Sequence, residues 1–451
     1  MTVETADSAE RTADPPARPA SSVPRIPLPK ALQTARFVAR PLPFFEQWRR
    51  ELGETFHASV YGPGELIFIS DPESLKRLFA GDRVNTIAPG RNIVLGPLLG
   101  PGSLLLQEGE EHLRRRKLML PPFHGERMLA YEGVIAEATE RAVASWPLGE
   151  PFRLHPSMQE VTLEVILRAV FGVEDAGRRN ELSDCLVEIL AATASPRAIG
   201  FAVPGVRALP PFRRLRRLAD RIDELLAAEI TERRAEDGLD QRDDILSMLI
   251  SARFEDGSYM DDSELRDQLM TLLLAGHETT ATALAWTFDL LLHDRERLER
   301  LRAEVAAGER EYLDAVIEES LRVRPVVPFT GRQLRQPAEL AGYALDSGTI
   351  VMASIYLAHT RPDLFEDPYA FRPERFLGED APETYSWIPF GGGTRRCIGA
   401  AFAQFEMRVA LETILRSAEL RAASPALDRP IRRNVTLSPA GGTGAILTRR
   451  I

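Results

Sequence analysis

The sequence predicts a mainly α fold, one large helical domain with small β-sheets appended near its two ends. Three observations carry this. Apolar residues recur at helical spacing through most of 110–292. Short runs of β-forming residues fall before that region and after it. No internal repeat is present, and 451 residues suffice for a single core large enough to enclose a cofactor.

Ordered structure is expected from the proline-rich stretch 24–29 onward. A helix follows over 44–52. Segments 57–61 and 65–69 flank Gly62-Pro63-Gly64 and read as a hairpin. A helix begins after Gly109 and carries His112, Arg114, Arg115, Arg116 and Lys117. Prolines 196, 204, 210 and 211 interrupt the helical region at 195–212. A polar gap at 235–243 and an acidic turn at Asp256-Gly257 separate later helices. Asp261 and Glu264 form a capping box for a helix running to about Leu292. At 1.5 Å per residue it is on the order of 45 Å long, enough to cross a domain. The helix with Glu319 and Arg322 ends before Pro325, because proline disfavours helical geometry in the residue before it. Strands are expected at 338–340, 343–345 and 349–354, then a long loop at 361–389, a helix over 400–417 and a β-rich tail.

Composition bounds the function. Hydrophobic residues make up 44% and charged residues 27%, as in ordinary soluble proteins. The net charge of −10 argues against general nucleic-acid binding, which needs a broad basic surface. Two cysteines, Cys185 and Cys397, cannot build a disulfide framework, so a reducing cytoplasm is the simplest compartment. No apolar run reaches about 18 residues, and 1–22 lacks the apolar core of a signal peptide. Residues 1–24 are therefore expected to be a disordered leader without a membrane anchor, and 25–451 a single domain.

The chemistry concentrates in Phe390-Gly391-Gly392-Gly393-Thr394-Arg395-Arg396-Cys397-Ile398-Gly399. A thiolate ligand needs a depressed pKa. Arg395 and Arg396 supply positive charge, and the helix starting near Gly399 aims its amides at the sulfur. Consecutive glycines let a tight loop lie close to a flat cofactor, and Phe390 can shield the sulfur from water. The alternative is a structural thiol in a phosphate-type loop, but no Gly-Lys-Ser or Gly-Lys-Thr follows. Cys185, in an apolar helical context, reads as a small packed side chain.

The long helix carries Ala275-Gly276-His277-Glu278-Thr279-Thr280 at its middle. Gly276 costs about 1 kcal/mol relative to alanine in a helix, and the threonine hydroxyls can bond carbonyls one turn back. Together they can open a groove for a small ligand. A zinc site fails, since Ala281 stands where a His-Glu-x-x-His pattern needs histidine.

These segments resemble the cytochrome P-450 family. Phe390, Gly393, Arg395, Cys397 and Gly399 match every fixed position of its Phe-x-x-Gly-x-Arg-x-Cys-x-Gly signature, and 275–280 resembles its oxygen-activation motif. Glu319 and Arg322 resemble its Glu-x-x-Arg helix, and Pro373-Glu374-Arg375-Phe376 its Pro-Glu-Arg-Phe segment. The resemblance runs from about Leu28 to the C-terminus and is strongest to soluble bacterial members, including the Trp387-Ile388-Pro389 lead-in. It implies the fold of that family and a haem b (iron protoporphyrin IX) whose iron takes Cys397 as axial ligand. Thr279 would then hydrogen-bond the oxygen being activated and Glu278 would relay protons. His112, Arg116, Arg332 and Arg395 would hold the haem propionates. Phe390, Gly393, Gly399 and Gly276 would lie against the cofactor, while Glu319, Arg322 and Arg375 would form a structural network.

The activity implied is hydroxylation or epoxidation of a hydrophobic small molecule, such as a fatty acid, terpenoid or steroid, by a cytoplasmic monomer. A peroxide-driven peroxygenase and a non-catalytic haem sensor are the alternatives. The pocket implied is lined by 92–106, 198–209, 272–280, 326–330 and 437–440, including Ile93, Val94, Leu95, Ile199, Phe201, Val203, Val327 and Phe329. Electrons would come from a separate ferredoxin or flavodoxin with an NAD(P)H-dependent reductase. Arg114, Arg115 and Lys117, with Arg396, are the expected docking patch.

Overall fold

The computed structural model describes residues 17–83, 86–87, 96–193, 213–433 and 435–451. Residues 1–16 of the leader expected at 1–24 and the pocket segments 92–95 and 198–209, with Asn92, Ile93, Val94, Leu95, Ile199, Phe201 and Val203, lie outside these residues.

Structure starts earlier than the proline-rich stretch. β1 (Arg18–Pro19) pairs in parallel with the segment Tyr343–Leu345, and the Arg18 guanidinium stands 4.1 Å from the Tyr343 ring centroid. A two-residue strand is dictated by the open edge it joins, which local sequence does not announce. α1 (Lys30–Ala39) and α2 (Pro41–Leu52) follow, the latter starting on Pro41, whose fixed φ suits a first helical position. The expected hairpin forms from β2 (Phe56–Val60) and β3 (Gly64–Ile69). Gly62 and Gly64 turn it at φ of +90° and +91°, which side chains tolerate poorly.

α3 (Pro72–Ala80) leads through a 3-10 turn at Gly81–Arg83 to β4 (Thr86–Ile87). The helical body comprises α4 (Gly96–Leu99), α5 (Gly109–Met119), α6 (Glu132–Ser145), α7 (Leu154–Val165), α8 (Ala176–Thr193), α9 (Arg213–Ala235), α10 (Ile245–Ser251), α11 (Asp262–Leu292), α12 (Arg295–Ala307) and α13 (Glu311–Val323). β5 (Pro151–Arg153) precedes α7. Beyond α13 come β6 (Thr330–Leu334), β7 (Ala338–Leu340), β8 (Tyr343–Leu345), β9 (Ile350–Ala353), α14 (Ile355–His359) and α15 (Ala400–Ser417). β10 (Ala418–Ala422), β11 (Pro430–Arg433), β12 (Thr436–Pro439) and β13 (Gly444–Arg450) close the chain.

The largest sheet has the order β2-β3-β9-β6-β4. β6 was not expected, because Thr-Gly-Arg-Gln-Leu has little β character of its own. Antiparallel partners on both sides, β9 and β4, hold it in place.

α11 is the axis of the helical body, with Leu265, Leu269, Leu273, Ala281, Leu284 and Phe288 all buried. Asp261 caps it as expected, accepting the Glu264 amide at 2.8 Å. Asp261→Ala should cost about 1 kcal/mol, read as a lower unfolding midpoint in urea. α7 crosses the centre of α11, where the Thr162 hydroxyl donates to the His277 carbonyl at 3.0 Å. α13 ends at Val323, just short of Pro325, and α15 spans the range expected.

Candidate active site

Cys397 lies between a 3-10 turn, Gly393–Arg395, and the first turn of α15. Its amide donates to the Phe390 carbonyl at 2.9 Å, which closes the loop. Protein surrounds the thiol, and burial pushes its pKa up; the Gly399 amide, Arg116 and Arg396 draw it back only in part. The residue is nonetheless exposed. Deep placement and an open surface agree if Cys397 faces an internal cleft rather than packed core.

The expectation that Arg395 sits beside the sulfur is corrected. Successive side chains of a 3-10 turn point about 120° apart, and Arg395 turns towards Arg332, Glu108, Asp82 and Arg116. It donates to the Gln107 carbonyl at 2.6 Å. Arg116, from α5, takes the place beside the thiol. The glycines of the loop also have a protein partner. A Cβ on Gly392 would lie 2.4 Å from the Phe79 ring, and one on Gly393 would lie 2.2 Å from Asp82 Oδ2, with φ already at +68°. These two glycines seat the loop on α3 and the turn that follows it.

His112 and Arg116 stand one helical turn apart on α5. Burial, then Arg395 and Arg116, lowers the His112 pKa to about 4, so the imidazole is neutral and has one N–H to donate. Among the described residues Arg116 has no ion pair and no side-chain hydrogen bond. Arg332 is the opposite case. Its Nε and Nη2 grip Asp82 at 2.5 and 3.0 Å, Nη2 also reaches the Gly392 carbonyl at 3.2 Å, and Nη1 serves Gly331 O and Thr330 Oγ1 at 2.9 and 3.3 Å. All five guanidinium donors are thereby spent on protein. A soft sulfur donor suits a metal such as iron, and Arg116, Arg395 and His112 suit carboxylates carried by the same ligand.

On α11, Thr279 Oγ1 donates to the Ala275 carbonyl at 2.6 Å, the back-bond expected of it. A Cβ on Gly276 would meet Ile166 at 3.4 Å, so packing alone does not require this glycine. His277 is buried and packs towards α7, with its pKa lowered to about 4 by burial. Glu278 is held by the Gln159 amide and by Ser438 at 3.4 Å, with Arg433 Nη1 at 3.7 Å and His155 Nε2 at 3.8 Å. Burial raises its pKa above the ordinary carboxylate range, against the pull of Arg433, Gln159, Ser438 and Thr282. Glu406 of α15 is another buried acid, pushed up to about 8 and hydrogen-bonded to Thr280. Sequence reasoning missed Gln159, His155, Arg433, Glu406 and Asp82; each lies far along the chain from the motif it serves.

Glu319 and Arg322 are fully buried and joined twice, at 2.6 and 2.7 Å. Arg322 also donates to the carbonyls of His359, Pro368 and Ala370 at 2.7, 2.7 and 3.0 Å. Arg375 joins at 3.5 Å from Glu319 and donates to the backbone of Glu366 and Asp367. His359, also missed, links this network to the cysteine loop. Its Nε2 accepts from the Ile388 amide at 2.8 Å, so Nδ1 carries the proton and donates to the Arg322 carbonyl at 3.3 Å. Burial, reinforced by Arg322, lowers its pKa to about 3 and keeps it neutral.

Three of the four cations of the expected docking patch are paired with acids, while among the described residues Arg396 has no ion pair. Arg114 pairs with Asp256, Arg115 with Glu111 and Glu264, and Lys117 with Glu255. The acidic turn around Asp256 folds back onto α5, which no local reading of α5 contains. Of the pocket residues expected, Val327 is half-buried, and Phe329 packs with Phe37, Phe45 and Phe68 at centroid distances of 5.4–6.1 Å.

Known proteins are similar to this chain in sequence and fold. The family model described as "Cytochrome P450" matches residues 22–441. "Putative cytochrome P450 137" of Mycobacterium tuberculosis is 37% identical over 93% of this chain and 90% of the relative. "Putative cytochrome P450 135B1" of Mycobacterium bovis is 41% identical over 91% and 88%. Among solved structures, "Retinoic acid bound cyanobacterial CYP120A1" superposes with a TM-score of 0.82 at 25% identity, covering 96% of this chain and 100% of the other.

Proposed function

The chain belongs to the cytochrome P450 family of haem monooxygenases, and on that premise we propose that Cys397 is the axial ligand of a b-type haem and that the substrate is a hydrophobic small molecule. The observation that carries the ligand assignment is the open sulfur set deep in the protein, capped by the Gly399 amide beside an unpaired Arg116.

When bound, the haem supplies the oxidising chemistry and one oxygen atom from dioxygen reaches the substrate. The chain holds it and manages protons. Arg116 and Arg395 offer charge-assisted hydrogen bonds to its carboxylates, and neutral His112 offers one more. No described helix is long and apolar enough to cross a membrane. Electrons are taken to come from a separate ferredoxin or flavodoxin.

Thr279 donates its proton to Ala275 O, which leaves its oxygen lone pairs to accept from a proton-bearing group. Glu278 exchanges protons nearer neutrality than a surface glutamate, because burial raises its pKa. Arg433, half exposed on β11, connects that carboxylate to solvent. Glu278→Gln should slow turnover by about 10²-fold, the low end for general acid–base groups. It should also remove the limb of the pH–rate profile that lies above the usual carboxylate range. An unchanged profile would remove Glu278 from the relay.

The apolar substrate class rests on the aliphatic character of the expected pocket segments, of which Val327 is half-buried. The relative described as bound to retinoic acid takes an apolar isoprenoid acid, which falls in the same class. Fatty acids, terpenoids and steroids should be screened for a spin-state change on binding. Hits are then incubated with NAD(P)H, reductase and ferredoxin, or with peroxide alone. Oxygenated product in the first arm supports the monooxygenase reading; product only with peroxide replaces it with a peroxygenase, and product in neither with a haem sensor.

A further inference from the structure

We propose that His155 is a positioning residue for proton delivery: through the Thr282 hydroxyl it presents a hydrogen-bond donor to Glu278 and holds that carboxylate in its proton-accepting form. This rests on the proton-relay reading of Glu278 above. Three observations support it. First, Thr282 differs from three other threonines of α11. Thr271, Thr279 and Thr287 donate to the carbonyls of Asp267, Ala275 and Ala283, one turn back. The Thr282 hydroxyl instead meets His155 Nε2 at 3.1 Å and bonds the Glu278 carboxylate. Second, the link lies in the dry interior, with His155 2% and Thr282 0% exposed. The His155 amide donates to the Gly442 carbonyl at 3.0 Å, which pins the first turn of α7 in place. Third, His155 Nε2 stands 3.8 Å from Glu278 Oε1, too far for a direct hydrogen bond, so Thr282 is what connects them.

Counting protons fixes the direction of the chain. A hydroxyl carries one proton. When Thr282 gives it to an ionised Glu278, its lone pairs face His155, and Nε2 must carry the imidazole proton. A bare Nε2 would take the Thr282 proton, and the carboxylate would lose that donor. The Nε2–H tautomer therefore goes with an ionised Glu278. His155 itself is neutral, because burial, then Arg433 and His277, lowers its pKa to about 4, so its approach to Glu278 is not an ion pair at neutral pH. Among the described residues, His155 of α7 and Arg433 of β11 are the titratable or charged side chains brought to Glu278 from packed elements. His277, its neighbour on α11, is neutral as well. Arg433 acts from a half-exposed position that water screens. Thr282 and His155 act where water is excluded and one hydrogen bond to an anion counts for more.

The experiment titrates the Glu278 carboxyl through its infrared C=O stretch, assigned by its loss in Glu278→Gln. Thr282→Val, His155→Phe and the double variant are compared with the unmodified protein. The pH–rate profile of oxygen consumption with NAD(P)H, reductase and ferredoxin is measured alongside. An anion that loses a hydrogen-bond donor holds its proton more tightly. Thr282→Val should therefore raise the infrared midpoint by about one pH unit, the scale of one hydrogen bond to a charged group. The matching limb of the pH–rate profile should move with it. His155→Phe should do the same, and His155→Gln, whose amide can donate to Thr282, should restore most of the shift. The double variant should shift no further than Thr282→Val alone, because both changes break one chain. An unmoved midpoint in Thr282→Val, or shifts that add in the double variant, would overturn the proposal. If His155→Phe fails to fold, Thr282→Val and His155→Gln decide. A midpoint that rises while the pH–rate limb stays would leave the hydrogen-bond chain standing and remove Glu278 from the relay.

Discussion

Cys397→Ser should leave a folded protein whose reduced haem under carbon monoxide lacks the red-shifted Soret band of thiolate ligation, with turnover lowered by more than about 100-fold. Changing groups that merely orient a metal ligand costs 10–100-fold, so loss of the ligand atom itself exceeds that range. A serine hydroxyl ionises far less readily than a thiol, and burial already opposes ionisation at this position. Arg116 and Arg396 offset that burial only partly for sulfur. The fold should survive, because the loop is held by backbone contacts that serine retains: the 397 amide to the Phe390 carbonyl, and Gly392 to Arg332. Unchanged far-ultraviolet circular dichroism with a lost thiolate band is the expected pairing. An intact band would dismiss Cys397 as the ligand.

Arg322→Ala should destabilise the protein by about 3–5 kcal/mol, the range for removing one partner of a buried ion pair. All five guanidinium donors are engaged, to both Glu319 oxygens and to the His359, Pro368 and Ala370 carbonyls. Alanine leaves the fully buried Glu319 carboxylate with only the Arg372 amide and the more distant Arg375, and strands three carbonyls. Arg322→Lys should recover little, since a single ammonium cannot match a planar fork. The loss should extend to haem retention, because His359 carries the network to Ile388, two residues before Phe390. Denaturant unfolding and haem transfer measured on one sample check both. Full stability in Arg322→Ala would mean that the network is not what fixes the loop.

Some of this was legible in the linear sequence for a physical reason. The cysteine loop, the Ala275–Thr280 turn of helix, the Asp261 cap and the Glu319–Arg322 pair each depend on residues a few positions apart. Backbone geometry alone therefore brings them together. The hairpin at Gly62–Gly64 and the end of α13 before Pro325 were legible likewise, through steric limits on single residues. β6 and β1 were not, because neighbouring strands hold them rather than their own propensity.

By itself, the sequence determined the predominantly helical fold, its family and the identity of the one thiol set in a glycine loop. Only the tertiary structure decided what each charge does. Arg395 turns from the sulfur, beside which Arg116 and Arg396 remain, Arg332 pairs with Asp82, and Arg114 and Lys117 pair with the turn around Asp256. An arginine reads the same in any sequence; whether it serves a cofactor, a partner protein or a buried carboxylate depends on which acid the fold brings within about 3 Å and on how much water is excluded there.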